Sequence, residues 1–183
     1  IVLNYSSGAQ ASATLEDNTS PADVSSLAVG DIGSDSVELN WTAVGDDGSN
    51  GQASSYDIRY LSGSSINSSN WSSASSVSGE PTPASSGQSE SMTITGLEQD
   101  TVYYFAIRVT DENSNVSGIS NVVNAQTYFL SDLSQDRYIN SVDLGILMSN
   151  WNSTSRPPSD MNQDGAVNSV DLGIMMSQWG SQN

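Results

Sequence analysis

The segments DLSQDRYINSVDLGILMSNW (132–151) and DMNQDGAVNSVDLGIMMSQW (160–179) repeat one another at an offset of 28, with thirteen of twenty aligned positions identical. Acidic residues recur in both copies at relative positions 1, 5 and 12. Oxygen-bearing groups at that spacing suit a hard cation. A twelve-residue calcium loop supplies side chains at positions 1, 3, 5 and 12, a backbone carbonyl at 7 and a water held at 9, toward a total of roughly six to eight oxygens. The first loop then offers Asp132, Ser134, Asp136, the carbonyl of Tyr138, Asn140 through water, and Asp143. The second offers Asp160, Asn162, Asp164, the carbonyl of Ala166, Asn168 and Asp171. Position 6 needs a sharp turn, which glycine enters without steric cost. The second copy has Gly165 there and the first has Arg137, so two Ca2+ sites are expected with the second the stronger.

Composition narrows the chemistry further. The six carboxylates of residues 128–183 all fall on the proposed ligand positions, whereas a merely solvated acidic face would scatter them. The 183 residues contain no cysteine and no histidine, which removes disulfides, thiol nucleophiles, imidazole bases and the usual zinc ligands. No catalytic residues are therefore assigned. The adjacent acids Asp46 and Asp47 sit in a glycine-rich stretch and read as loop solvation. A formal charge of −17 with four arginines as the whole basic complement argues against nucleic acid, whose binding relies on cationic side chains. No apolar run approaches the ~18 residues a bilayer span needs, so no membrane insertion is expected.

Residues 1–19 pass from a short apolar run into small polar residues and read as a linker or upstream tail. From residue 20 to 127 apolar side chains alternate: Val37, Leu39, Trp41; Tyr56, Ile58, Tyr60; Met92, Ile94; Tyr103, Phe105, Ile107, Val109; then Val122. Two-residue alternation marks half-buried strands, and strands joined by turn-rich loops indicate an antiparallel sandwich. Pro21 with Leu27, Trp41, Tyr56-x-Ile58-x-Tyr60 and Leu97-x3-Thr101-x-Tyr103-x-Phe105 resemble a fibronectin type III domain, an all-β immunoglobulin-like sandwich. The resemblance implies a tyrosine corner at Leu97 and Tyr103 and a core role for Trp41. The segment Asp111-Glu112-Asn113-Ser114-Asn115 carries enough oxygen for a third cation site, but acids after a strand are usual turn chemistry. The connector Thr127–Ser131 is short and apolar, and Phe129 with Leu130 is expected to bury between the two domains.

Each loop of the C-terminal unit, residues 128–183, is followed by a helix-compatible segment, Leu144 to Trp151 and Leu172 to Trp179. Apolar residues at 144, 147, 148 and 151 share one face and are expected to form its core, closed by Trp151 and Trp179. Two EF-hand-like calcium loops, each followed by one helix, make a small α-helical domain that resembles a type I dockerin. The resemblance implies a cohesin partner and contacts at Ser141 and Val142, or Ser169 and Val170, and further along the same helix face. A small-residue stripe reaches a similar surface independently: Ser141, Gly145, Ser149 and Ser153, then Ser169, Gly173, Ser177 and Ser181. A mid-helix glycine costs about 1 kcal/mol against alanine, so Gly145 and Gly173 imply close approach of something. Either a partner or the other helix would satisfy that.

The expectation is a non-catalytic, secreted module, monomeric without its partner. It would anchor a larger protein to a cohesin on a scaffold or cell surface, with the sandwich as spacer. The alternative is a calcium-stabilised extracellular stalk or adhesin tail that binds no cohesin.

Overall fold

The computed structural model describes residues 17–155 and 158–182, so most of the expected N-terminal linker lies outside the described residues. Among the described residues seven strands follow one another: β1 (Ala28–Ile32), β2 (Ser36–Thr42), β3 (Ser55–Ser62), β4 (Ser75–Ser76), β5 (Ser89–Thr95), β6 (Val102–Thr110) and β7 (Val123–Gln126). They form two antiparallel sheets, ordered β1-β2-β5 and β4-β3-β6-β7. Alternation decides the packing: Val37, Leu39 and Trp41 from one sheet meet Tyr56, Ile58, Phe105, Ile107 and Val109 from the other in a single buried core. The Trp41 and Tyr56 rings meet edge to face at 5.2 Å, the arrangement their ring quadrupoles prefer. Tyr103 is buried, and its hydroxyl accepts from the Glu98 backbone N at 2.9 Å beside buried Leu97. The corner and the core tryptophan are thus where the sequence placed them, although Val122 lies just outside β7.

The serine-rich stretch after β3 is more than a loop. Ile66, Trp71 and Ala74 fold onto the outer side of the second sheet and bury Ala106 beneath them, with Leu61, Tyr104, Ile119 and Val122 around the edge. The guanidinium groups of Arg59 and Arg108 both lie on the Trp71 ring, at 5.2 and 4.7 Å from its centroid. Arg59 also donates to the Trp71 carbonyl at 3.0 Å and pairs with Asp57 at 2.9 Å. Two of the four basic residues are spent holding down this flap. The sequence signal was present in Ile66 and Trp71, two large apolar residues isolated among serines and asparagines.

Asp111 makes a turn. Its Oδ1 accepts from the backbone N of Asn113 and Asn115 at 2.9 and 2.8 Å, and its Oδ2 from Asn115 Nδ2 at 2.8 Å, which is Asx-turn chemistry.

The C-terminal unit contains α1 (Ser141–Ser149) and α2 (Ser169–Ser177), each starting three residues before the expected segment and ending two before it. Capping sets both starts. Asn140 Oδ1 accepts from Val142 N and Asn168 Oδ1 from Val170 N, both at 2.8 Å, while Asp143 and Asp171 reach back to the Asn140 and Asn168 backbone N at 2.9 and 2.8 Å. Such reciprocal capping satisfies donors that a helix start otherwise leaves open. The two copies also clasp each other. Ile139 pairs through backbone hydrogen bonds with Gly180 and Ser181, and Val167 pairs with Asn152 and Ser153. These pairs are related by the same offset of 28, so the repeat folds with approximate twofold symmetry. Its core is Ile139, Leu147, Met161, Val167 and Met175, flanked by Leu144 and Leu172.

Two expectations are corrected here. Met148 and Trp151 do not join that core: they are 42% and 38% exposed, and Met176 and Trp179 match them at 43% and 44%. Leu147 and Met175 face inward, and the helical turn of about 100° per residue carries the next residue outward. The tryptophans lie past the last helical residues and so escape the helix packing. The stripe also stops at Ser149 and Ser177, because Ser153 and Ser181 belong to the clasp. Phe129 and Leu130, expected between the two domains, are half-buried: they pack against the C-terminal core, and Leu130 also lines a cleft with Ser34, Leu97 and Gln99 of the sandwich.

Candidate functional site

In the first loop, Asp132, Asp136 and Asp143 each bring one carboxylate oxygen within 4.8 Å of the others. Among the described residues no salt bridge neutralises them: Arg137 lies in the same loop, yet its guanidinium sits over the Tyr128 ring at 5.2 Å. Asp132 is held by backbone donors, Oδ1 by Asp136 N at 3.1 Å and Oδ2 by Arg137 N at 2.9 Å. Burial raises its carboxyl above the ordinary aspartate range, and the neighbouring Asp143 and Asp136 charges push the same way against those donors. Packed like charges of this kind repel unless a cation joins them.

The second loop is built on the same plan. Asp160 Oδ2 accepts from Gly165 N at 3.0 Å, whereas its buried Oδ1 has no hydrogen-bond partner. A buried carboxylate oxygen left without a donor is costly, and position 1 of a calcium loop is where such an oxygen is used. Asp171 is fully buried and accepts from Met161 N, Asn162 N and Asn168 N at 2.8, 3.4 and 2.8 Å. Asp164 is exposed, and a hydrogen bond from the Asn162 side chain leads the causes that hold its carboxyl below the usual range. Asn168 Nδ2 donates to the Ala166 carbonyl at 3.0 Å, which brings positions 7 and 9 together. In the first loop Asn140 Nδ2 does the same to Tyr138 at 3.5 Å, and Ser134 Oγ approaches Asp132 Oδ1 at 3.5 Å.

The twelve proposed ligand residues lie in two turns related by the offset of 28, and their oxygen-rich donor sets suit a hard cation; among the described residues only the first turn brings three carboxylates within 4.8 Å of one another. Position 6 takes the left-handed conformation in both, with φ of +71° at Arg137 and +96° at Gly165. Position 4 does so too, at Gln135 and Gln163 with φ of +58° and +57°, which the sequence did not signal. Asn140, Asn168, Asp143 and Asp171 turn out to serve twice, as loop ligand candidates and as helix caps.

The helix faces pointing away from the core carry the other candidate residues. Ser141, Val142, Gly145 and Ser149 are exposed in α1, as are Ser169, Val170, Gly173 and Ser177 in α2. A Cβ built at Gly145 or Gly173 meets nothing within 4 Å. Internal helix contact therefore does not explain either glycine. Helical geometry adds Met148 and Met176 to these faces, beside the glycines; the sequence pattern had placed Met148 in the core. No charged side chain interrupts the exposed face, since the one ionisable residue of each helix, Asp143 or Asp171, is buried.

The family profile described as fibronectin type III domain matches residues 21–126, and that described as dockerin type I domain matches residues 130–178. Among solved structures, domains of titin align at 20% identity over 60% of this chain and 32% of that one, with a TM-score of 0.43. A structure described as a myokine aligns at 15% identity over 60% of this chain and 99% of its own, with a TM-score of 0.40. The FN1–FN3 domains of chicken CNTN1 align at 17% identity over 60% and 31%, with a TM-score of 0.43. The chain spans about a third of the length of the titin and CNTN1 structures.

Proposed function

We propose, on the premise that this chain belongs to the fibronectin type III family over residues 21–126 and carries a type I dockerin domain over residues 130–178, that it is a calcium-dependent docking unit of a secreted protein. Type I dockerins are calcium-binding cohesin partners, and both families are non-catalytic modules typical of extracellular proteins. The finer reading is that two calcium ions, held by the residues of the two loops, fix α1 and α2 for a cohesin, with the second loop the tighter site. The metal would supply the positive charge that lets each set of carboxylates stay together. The chain's own residues do the rest: Asn140 and Asn168 start the helices, Asp143 and Asp171 tie each loop to its helix, and the clasp sets the helices against each other.

One observation carries this reading: the glycine-centred faces of α1 and α2 are open, uncharged and duplicated by the same offset as the loops. Equal faces would let a cohesin dock on either. The unaltered chain should therefore bind a cohesin from its own source by titration calorimetry in calcium and lose binding in chelator. Binding that persists in chelator would sink the calcium step, and no binding in calcium would favour a stalk without a cohesin partner. Changing Ser141-Val142 and Ser169-Val170 separately and then together tests the dual face: each single change should leave binding, and the combination should remove it.

A further inference from the structure

The first calcium loop is joined to the sandwich through a residue that its turn would not choose. Arg137 stands at a position with φ of +71°, a conformation that costs a residue other than glycine and persists where the surroundings over-determine it. Its backbone N donates to Asp132 Oδ2 at 2.9 Å, inside the loop. The side chain runs the other way. Its guanidinium stacks on Tyr128 at 5.2 Å, and Nη1 donates at 3.4 Å to Gln126 Oε1 in the last strand of the sandwich. Gln126 is fixed in turn, its Nε2 donating to Asp100 Oδ1 at 2.8 Å.

The surroundings extend the same junction. Tyr128 N donates to the Gly33 carbonyl at 3.0 Å, and Leu130 N donates to Gln99 Oε1 at 2.8 Å. A cleft of about 420 Å³ lies between the units, lined by Ser34 on the sandwich side and by Asp132, Gln135, Asp160 and Gln163 on the loop side. Both position-1 aspartates and both left-handed glutamines therefore face the β1–β2 turn. The metal loops sit at the domain junction, while the open helix faces sit elsewhere.

We propose that Arg137 couples the first calcium loop to the sandwich, so that metal loading of that loop and docking of the two domains form one linked equilibrium. The chemistry is economical. Stacked on Tyr128, the guanidinium charge is kept off the cation site, and the same side chain transmits the loop's shape to β7. Linkage makes the effect reciprocal: whatever factor loading contributes to docking, docking returns to calcium affinity. On this account the sandwich is a fixed platform and not a loose spacer when calcium is bound.

The inference rests on the calcium reading of the loops, and an unaltered chain that gave no calcium heat would remove that reading first. Given a heat, the test uses the full chain with Arg137→Ala, Tyr128→Ala and Arg137→Gly, read by small-angle scattering in calcium and in chelator. The unaltered chain should be compact in calcium and broaden in chelator, and all three variants should be broad even in calcium. Arg137→Gly is the decisive arm for scattering, because it relieves the turn while cutting the tether. Calcium affinity of the first loop is read in an Asp164→Ala background that weakens the second, where Arg137→Ala and Tyr128→Ala should each weaken it by about fivefold or more. Unchanged scattering in the variants would overturn the proposal, and so would a weakened affinity without any change in scattering, since the effect would then be local to the loop.

Discussion

Replacing Gly145 and Gly173 by alanine should make the C-terminal unit more stable and worse at its task. Both glycines lie inside helices with ordinary negative φ, and a Cβ at either site meets no atom within 4 Å. The expected gain is the helix-propensity difference, about 1 kcal/mol per site, largely from the entropy the glycine gives the unfolded chain. The two added methyl groups share no neighbours, so the effects should sum to about 2 kcal/mol. A unit of this size has a total stability of only about 2.5–7 kcal/mol, so the thermal midpoint should rise clearly. Binding should move the other way. A methyl group forced into a close protein contact costs about 1–3 kcal/mol, or roughly a five- to 150-fold loss of cohesin affinity in the double variant. Each single variant keeps one unaltered face and should lose little. Calcium-saturated calorimetry, thermal unfolding and cohesin titration read these effects together. Destabilisation by either alanine would mean that the glycines serve internal packing, and a double variant that binds normally would remove the two faces from the docking surface.

Other substitutions separate roles that the loops and the core combine. Asp171→Ala should unfold or strongly destabilise the C-terminal unit, because three backbone donors lose their acceptor at about 1–3 kcal/mol each for those left buried; Asp164→Ala, at an exposed site, should weaken calcium binding with little change in urea stability measured in chelator. Leu147→Ala should cost about 2–5 kcal/mol as a fully buried deletion, whereas Met148→Ala, one residue on, should stay within about 0.5 kcal/mol; similar denaturation midpoints for the two variants would contradict the helix orientation. In the sandwich, burial pushes the Tyr56 hydroxyl up to about 12, with the Glu90 charge adding to the effect. The folded pKa lies above the unfolded value, so this contribution to stability is complete below pH 10 and is lost as pH rises from 10 to 12. Tyr56→Phe should flatten that part of the stability–pH curve, and an unchanged curve would refute the assignment.

Much of the molecule was legible in the chain because its patterns have short periods. Alternation at Val37-x-Leu39-x-Trp41 and Tyr103-x-Phe105-x-Ile107 leaves one way to bury a strand's apolar side, so the sandwich followed. The carboxylate spacing likewise identified the loops, since ligand order along a twelve-residue turn is itself local. Met148 and Trp151 fit a core stripe as well as Leu147 does, because an apolar residue near a helix end satisfies the period whichever way it faces, and only packing of the two copies decides which side is covered. Where the helix begins depends on Asn140 and Asp143 capping each other, a signal legible in the sequence as asparagine followed three residues later by aspartate. Ile66 and Trp71 were missed for a different reason: their partners Ala106, Arg59 and Arg108 lie on other strands, and no local pattern connects them.

By itself the sequence determined the two-domain order, the strand core, the duplicated loops and the acidity without a matching base. Each is fixed by residue type and spacing within about a dozen positions. Only the tertiary structure decided that the glycines face open space, that Ile139 and Val167 clasp the opposite copy, and that Arg137 turns its charge away from the loop onto Tyr128. Those depend on which surfaces meet after folding, and contact between distant segments is set by packing of the whole chain rather than by any one stretch of it.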